Sequence, residues 1–305
     1  MEKDKLQKEI RRLAQEKEAI ILAHNYQPPE IQDVADLTGD SLELSLKASR
    51  TPAKVVVFCG VRFMAETAAI VCPEKRIVFP RLEAGCEMAD MITPEDVLGL
   101  KERYPQAPVV TYVNSYVEIK AVSDICCTSA NSVNVVKALE AQEVIMVPDK
   151  NLARYTQRFF PDKKIYYHDG FCPFHEVLTV EDLQQARKQH PEAVLMVHPE
   201  CRPEVIDQAE VVRSTSGMLK YARESSAREF IVGTEIGLLY PLKKQNPHKE
   251  FYPASSQMLC KAMKMISLED LYKALETLEP VVEVPEDIRQ RAYQAVARML
   301  EIPRN

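Results

Sequence analysis

Apolar positions recur along this chain with two periods, and the switch between them marks helices alternating with short strands. Residues 3 to 17 carry Leu6, Ile10, Leu13 and Ala14 at helical spacing among charged neighbours, which predicts an amphipathic helix. The unbroken apolar run 19–23 reads as a buried strand ending at His24-Asn25-Tyr26. Pro28-Pro29 interrupts the chain, and a helical stretch is expected near 31–37. Gly39-Asp40-Ser41 caps a helix over 42–49. A strand over 54–59, a helix over 63–71 and a strand over 76–79 follow, closing on Ala84-Gly85-Cys86.

The same plan then returns. A helix over 93–103 has Thr93 as N-cap, Pro94 in its first position and acidic residues in its first turn. A strand over 108–113 ends at Asn114, and Thr128-Ser129 opens a helix running to about residue 141. Strand 143–147, helix 152–159 and strand 164–167 lead to Cys172. The third copy has a helix from Thr179, a strand over 193–197 ending at His198-Pro199-Glu200, a helix opened by Ser214-Thr215-Ser216, and a strand over 229–232 before Cys260. Helices from Ser267 and over 285–300 complete the chain.

The recurrence has a signature: cysteine, five residues, then [Ile/Leu]-[Thr/Ser]-x-Glu-Asp-[Val/Leu]. It occurs after Cys86, Cys172 and Cys260, spaced 86 and 88 residues apart (172 − 86 and 260 − 172). Repetition at fixed period is the mark of a repeated structural unit. The expected fold is therefore α/β, with three similar small parallel α/β units around a pseudo-threefold axis and a central active site. The expected divisions are 1–87, 88–173 and 174–262, with the helices of 263–305 packing back on the repeats. One long doubly wound sheet would leave the triplicated signature without a reason.

Composition adds exclusions. The 305 residues are 46% hydrophobic and 28% charged, which is globular. A net charge of −6 and pI near 5.7 argue against nucleic acid as a partner. No apolar run reaches the ~18 residues of a membrane span, and Met1-Glu2-Lys3-Asp4-Lys5 lacks a signal peptide's apolar core. A cytoplasmic protein is expected, and its eight cysteines are then not a disulfide framework.

In parallel α/β units, ligands bind beyond the carboxyl ends of the strands, where helix N-termini offer free N–H groups to anions. The first strand of each unit ends at His24-Asn25-Tyr26, Tyr112-Val113-Asn114 or His198-Pro199-Glu200, and the following helix starts at Ser41, Ser129 or Ser214-Thr215. Each unit thus brings a polar strand end, a hydroxyl and a cysteine, a set suited to a small substrate bearing carboxylates or phosphate. Cys59 and Cys72 read as buried hydrophobes, whereas Cys126, Cys127 and Cys201 lie beside candidate site residues. The registered cysteines Cys86, Cys172 and Cys260 are the metal-ligand candidates. Without paired C-x-x-C knuckles they favour an open catalytic centre over closed structural zinc. Three thiolates suit a cubane iron–sulfur cluster with one iron left open to substrate.

The motifs His24-Asn25-Tyr26, Gly39-Asp40-Ser41, Phe63-Met64-Ala65-Glu66-Thr67, Gly85-Cys86, Tyr112-Val113-Asn114, Cys127-Thr128-Ser129-Ala130-Asn131, Gly170-Phe171-Cys172-Pro173 with His175, His198-Pro199-Glu200-Cys201 and Ser214-Thr215-Ser216 together resemble the quinolinate synthase family, in order from about residue 18 onwards. The resemblance implies an oxygen-sensitive 4Fe-4S enzyme of NAD biosynthesis that condenses iminoaspartate with dihydroxyacetone phosphate to quinolinate, releasing phosphate and two waters. By motif, Cys86, Cys172 and Cys260 would ligate the cluster. His24, Ser41, Tyr112, Val113, Asn114, Ser129, His198, Pro199, Glu200 and Thr215 would line the substrate site, with Tyr26 beside them. Glu200 is the candidate general base, and His24, Tyr26 and His198 are proton donors or orienters. Because iminoaspartate is unstable, a transient contact with the L-aspartate oxidase that makes it is also implied. Arg213, His168 and Glu87 depart from the family pattern, which bears on the shape of the pocket. Two other readings stay open: another three-cysteine 4Fe-4S enzyme of trilobed fold, of the diphosphate reductase type, or a non-enzymatic metal-binding scaffold.

Overall fold

The computed structural model describes residues 3–304. Among them, strands β1 (Ala19–His24), β2 (Leu37–Gly39), β3 (Val55–Cys59) and β4 (Arg76–Val78) form one parallel sheet in the order β2-β1-β3-β4. Strands β5 (Val109–Tyr112), β6 (Ile125–Cys127), β7 (Glu143–Val147) and β8 (Lys164–Tyr167) form a second, ordered β6-β5-β7-β8. Strands β9 (Val194–Val197), β10 (Val211–Val212), β11 (Glu229–Gly233) and β12 (Glu250–Pro253) form the third, ordered β10-β9-β11-β12. The register repeats as well: Ile21 pairs with Val57, Val109 with Ile145 and Leu195 with Ile231. The fold is thus α/β with three similar parallel units. Helices flank the sheets, so central strands such as β3 are buried at every position and read as unbroken apolar runs.

The signature that marks the repeat is a helix cap. Thr93, Thr179 and Ser267 each close a capping box with the aspartate three residues on, and the helices Pro94–Arg103, Val180–Gln189 and Leu268–Thr277 follow. Two further triplets emerge only in three dimensions. The first-strand amides of Ile21, Val109 and Leu195 donate to Asp36, Asp124 and Glu210 at 2.8–2.9 Å, and each carboxylate also pairs with a cation, Arg11, Lys101 or Arg187. The ammonium groups of Lys75, Lys163 and Lys249 each bind two carbonyls around the ends of the helices Ser41–Arg50, Ser132–Ala138 and Thr215–Glu224, where unpaired C=O groups and the negative dipole end collect.

Several local expectations are corrected. The stretch expected as a helix over 31–37 is the short helix Pro29–Val34 followed by β2. The helix expected from Thr128-Ser129 starts at Ser132, because Asn131 Oδ1 accepts from the Thr128 amide and hydroxyl and closes a turn before it. Strands β2, β6, β10 and β12 were not expected: β2 and β10 bring only three and two residues and β6 only Ile125 and two cysteines, while β12, Glu-Phe-Tyr-Pro, ends in a proline, which speaks against a strand. The helix Leu268–Thr277 packs against Lys3–Glu16, and Glu286–Leu300 packs on Arg62–Val71, Val117–Lys120 and β6, so the chain's last helices return to the first two units.

The strand order places a topological switch point beside β1, β5 and β9, since the chain leaves each of these to one side and later returns on the other. Those are the strands whose ends carry the candidate polar residues.

Candidate active site

A cavity of about 350 Å³ lies where the three units meet, and all three contribute to its wall. His24 ends β1, Tyr112 ends β5 and His198 follows β9 directly. Ser41 and Thr215 are the first residues of the ten-residue helices Ser41–Arg50 and Thr215–Glu224, and Ser129 lies in the turn after β6. Tyr26, Asn114 and Glu200 complete the predicted polar set on this wall. Val113 and Pro199 are not on it. Val113 is buried behind Tyr112, its amide bonded to the Cys127 carbonyl, while Pro199 lines a second cavity. Of the three departures from the family pattern, Glu87 lines the site, His168 binds the Met91 carbonyl away from it, and Arg213 lines the second cavity.

The cysteines sort by position. Cys86, Cys172 and Cys260 sit on the loops after β4, β8 and β12, are only partly buried, and face the cavity. The other five are fully buried, including Cys126, Cys127 and Cys201, none of which reaches the cavity. Gly170 allows the Cys172 loop its course: a Cβ there would stand 2.7 Å from the Pro148 carbonyl oxygen. Burial raises the thiol pKa values of all three site cysteines, Cys86 to about 12 and Cys260 to about 11, and the neighbouring thiols add to the rise at Cys86 and Cys172. Such thiols keep their protons until a cation replaces them.

Around Glu200 runs one hydrogen-bonded chain. Oε2 accepts from His175 Nδ1 at 2.8 Å and from His198 Nδ1 at 3.1 Å. With Nδ1 of His175 donating, its Nε2 accepts from the Thr234 hydroxyl at 2.8 Å, and Thr234 in turn accepts from the Tyr26 hydroxyl at 2.5 Å. Every member is buried. Burial pulls the Glu200 carboxyl up, but the two imidazoles outweigh it and hold it well below the usual carboxylate range. Burial and then the Glu200 charge push the Tyr26 and Tyr112 phenols well above 10, so both remain proton donors at neutral pH. Glu200 Oε1 and Asn114 Oδ1 are buried and without a hydrogen-bond partner among the described residues, an arrangement that calls for donors from a ligand or water.

His24 is also neutral. Its Nδ1 accepts from the Tyr26 amide at 3.2 Å, which leaves the proton on Nε2. Burial drives its pKa down from 6.5 to about 4, the Asp40 charge offsetting part of the drop. Between those values the unfolded chain binds the proton and the folded chain does not. Stability present above pH 6.5 is therefore lost as pH falls towards 4, and buried His198, whose pKa is lowered too, adds in the same sense. Urea unfolding followed from pH 7.5 to 4.5 is expected to show a loss on the order of a few kcal/mol that is smaller in His24→Asn. Equal slopes in the two proteins would remove His24 from this account.

His175, Thr234, Glu235 and Lys264 are site residues that sequence reasoning did not single out. His175 stood inside a quoted motif, three residues after Cys172, and the strand before Thr234 was expected to stop at 232. Glu235 accepts from the Cys260 amide at 3.3 Å and pairs with Lys264 at 2.9 Å, and Lys264 also binds the Tyr26 carbonyl. This ties the Cys260 loop to the end of β1.

The chain matches the family model described as NadA: Quinolinate synthetase A protein over residues 8–301. It is 54% identical over 305 residues, all of both chains, to a protein of Geotalea uraniireducens (strain Rf4) named quinolinate synthase. It is 52% identical over 294 residues to one of the same name from Thermodesulfovibrio yellowstonii, covering 96% of this chain and 97% of the relative. A third, from Methanosarcina barkeri, is 50% identical over 302 residues and 99% of each chain. With a three-unit α/β fold, a shared central site and similarity along its whole length, the chain belongs to the quinolinate synthetase A family of enzymes.

Proposed function

We propose that the chain condenses iminoaspartate with dihydroxyacetone phosphate to quinolinate, for NAD biosynthesis, with a 4Fe-4S cluster held by Cys86, Cys172 and Cys260. The observation that carries this is the sorting of the cysteines: three partly exposed thiols, one from each unit, face one cavity, while the other five are buried elsewhere. In this reading the units 1–87, 88–173 and 174–262 each give one ligand. The donor set fits the group, being all soft sulfur and short of a fourth ligand. When bound, the cluster supplies a Lewis acid at the iron lacking a thiolate, suited to polarising the substrate hydroxyl that leaves as water.

The remaining work falls to this chain's residues. The hydroxyls of Ser41 and Thr215, at helix N-termini, and of Ser129 suit the substrates' carboxylates and phosphate. Val113 and Pro199 contribute behind this wall through the backbone they shape. Glu200, taken alone, is a weak base because two imidazoles hold its proton affinity down. Coupled to His175 and His198, it accepts a substrate proton as one unit. Tyr26 and His24 Nε2–H supply protons to departing oxygens, and Thr234 reconnects Tyr26 to His175.

A second reading rests on the thiolate, imidazole and carboxylate of Cys172, His175 and Glu200, whose donor atoms lie within 4.8 Å of one another and would suit a single divalent metal. In that case the His175–Glu200 hydrogen bond would have to break. Purification without oxygen separates the two: about four irons and four sulfides per chain are expected of the cluster, against one metal ion and no sulfide. The same preparation is expected to form quinolinate and to lose that activity in air. Full activity in a metal-free, colourless preparation would overturn the cluster. No helix among the described residues is long and apolar enough to cross a membrane, and the free thiols support a cytoplasmic setting, where contact with L-aspartate oxidase would shorten the path of its unstable product.

A further inference from the structure

Arg304, beyond the last helix, is tied to the substrate site through Asp40. Its guanidinium grips the Asp40 carboxylate with both arms, Nη1 to Oδ2 at 2.7 Å and Nη2 to Oδ1 at 3.0 Å, and Nη2 also meets Glu43 Oε1 at 3.2 Å. Asp40 is the N-cap of the helix Ser41–Arg50 and lines the cavity itself. Its Oδ2 also accepts from the Ser214 hydroxyl at 3.3 Å, and its amide donates to Ser216 Oγ at 3.2 Å. Ser214 is the N-cap of the helix Thr215–Glu224. Two helix starts from different units therefore abut, and they are the ones that present Ser41 and Thr215 to the cavity.

The pairing has an electrostatic problem that Arg304 resolves. Asp40 and Glu43 crowd two carboxylates into a capping box, with Asp40 buried. Like charges at that separation repel, and a buried carboxylate without a cation is costly. A guanidinium is the side chain whose planar fork satisfies both at once. The segment that delivers it is anchored on the second unit: Asn131 Nδ2 donates to the Met299 and Ile302 carbonyls, and Asn134 Nδ2 to those of Pro303 and Arg304. The first and third units thus meet at one ion cluster behind the hydroxyls, and its guanidinium comes on a segment held by the second.

We propose that Arg304 is a positioning residue for substrate binding: it bridges Asp40 and Glu43, offsets one of their two charges, and so holds the helix starts bearing Ser41 and Thr215 at the spacing the substrate's anionic groups require. This rests on the reading of those hydroxyls as the anion-binding side of the site. It touches no substrate and takes no part in proton transfer.

The test uses the full chain purified without oxygen. Arg304→Ala is expected to raise KM for iminoaspartate about tenfold, the worth of one charge-assisted contact, with kcat changed far less. Arg304→Lys is expected to recover part of the loss, since it restores the charge without the fork. In a double-mutant cycle, Asp40→Asn with Arg304→Ala is expected to cost little more than either change alone. A merely structural role would lower the folded fraction and leave KM where it was, and that result overturns the proposal. Amide exchange over residues 39–46 and 213–219, measured without substrate, is expected to quicken in Arg304→Ala and to be partly restored in Arg304→Lys. Unchanged exchange overturns the inference whatever the turnover. An unmodified enzyme that makes no quinolinate overturns the proposed reaction instead, and the exchange result still decides the role of Arg304.

Discussion

Replacing Glu200 by glutamine is expected to lower kcat by about 10²–10⁴-fold, the span associated with loss of a general acid–base group, while the iron content stays unchanged. The amide is nearly isosteric, so the cavity keeps its shape. What changes is the hydrogen bonding. Oε2 now accepts from both His175 and His198. A glutamine whose carbonyl oxygen takes the Oε2 place still accepts from both imidazoles through its two lone pairs, and its NH2 then stands where Oε1 offered an unpartnered acceptor to the cavity. The path through Thr234 to Tyr26 keeps its direction, so the loss reports the missing carboxylate. The charge that favours a protonated imidazole also disappears. Steady-state kinetics on a preparation of confirmed iron content checks this, and turnover within threefold of the unmodified enzyme, a range set by the lower edge of general-base effects at about 10², would take Glu200 out of the reaction.

Alanine at Cys86, Cys172 or Cys260 is expected to abolish iron binding and to cut activity by about 10³-fold or more, since Lewis-acid stabilisation is worth several kcal/mol. Each thiol lies on a different loop, so no neighbouring cysteine can take its place: the other five are buried and away from the cavity. The control is Cys59→Ala. Cys59 is fully buried in β3, and burial alone raises its thiol pKa, the behaviour of a small hydrophobe. That variant is expected to lose some stability and keep its iron. Metal analysis and visible absorption, with circular dichroism to confirm folding, separate the two classes. Iron retained in Cys260→Ala at the unmodified level would show that the third unit does not supply a ligand.

Local rules carried much of this structure. The capping boxes after Cys86, Cys172 and Cys260 are written in four consecutive residues each, so a repeat of three units could be read without knowing how they pack. Strands such as β3, apolar throughout, and β7, apolar after Glu143, announce themselves because they are buried on both faces. The strand ends followed from the same pattern, since a polar residue after a buried run has to meet a ligand, water or a partner. An element as short as β10 left no such trace: it is held by pairing with β9, and pairing is not a property of its own two valines.

The sequence by itself determined the units, their order and the three cysteines that recur in register, because caps, periodicity and spacing are local or arithmetic. Only the tertiary structure decided which polar residues act together. His175 reaches Glu200 across 25 positions, Tyr26 reaches Thr234 across 208 and Arg304 reaches Asp40 across 264. Such contacts depend on how three sheets and the final helices close on one another, and no residue's own neighbours encode them. The same closure separated Cys86, Cys172 and Cys260 from Cys126, Cys127 and Cys201: burial and the direction of a loop, rather than nearness in sequence to a motif, set which sulfurs face the cavity.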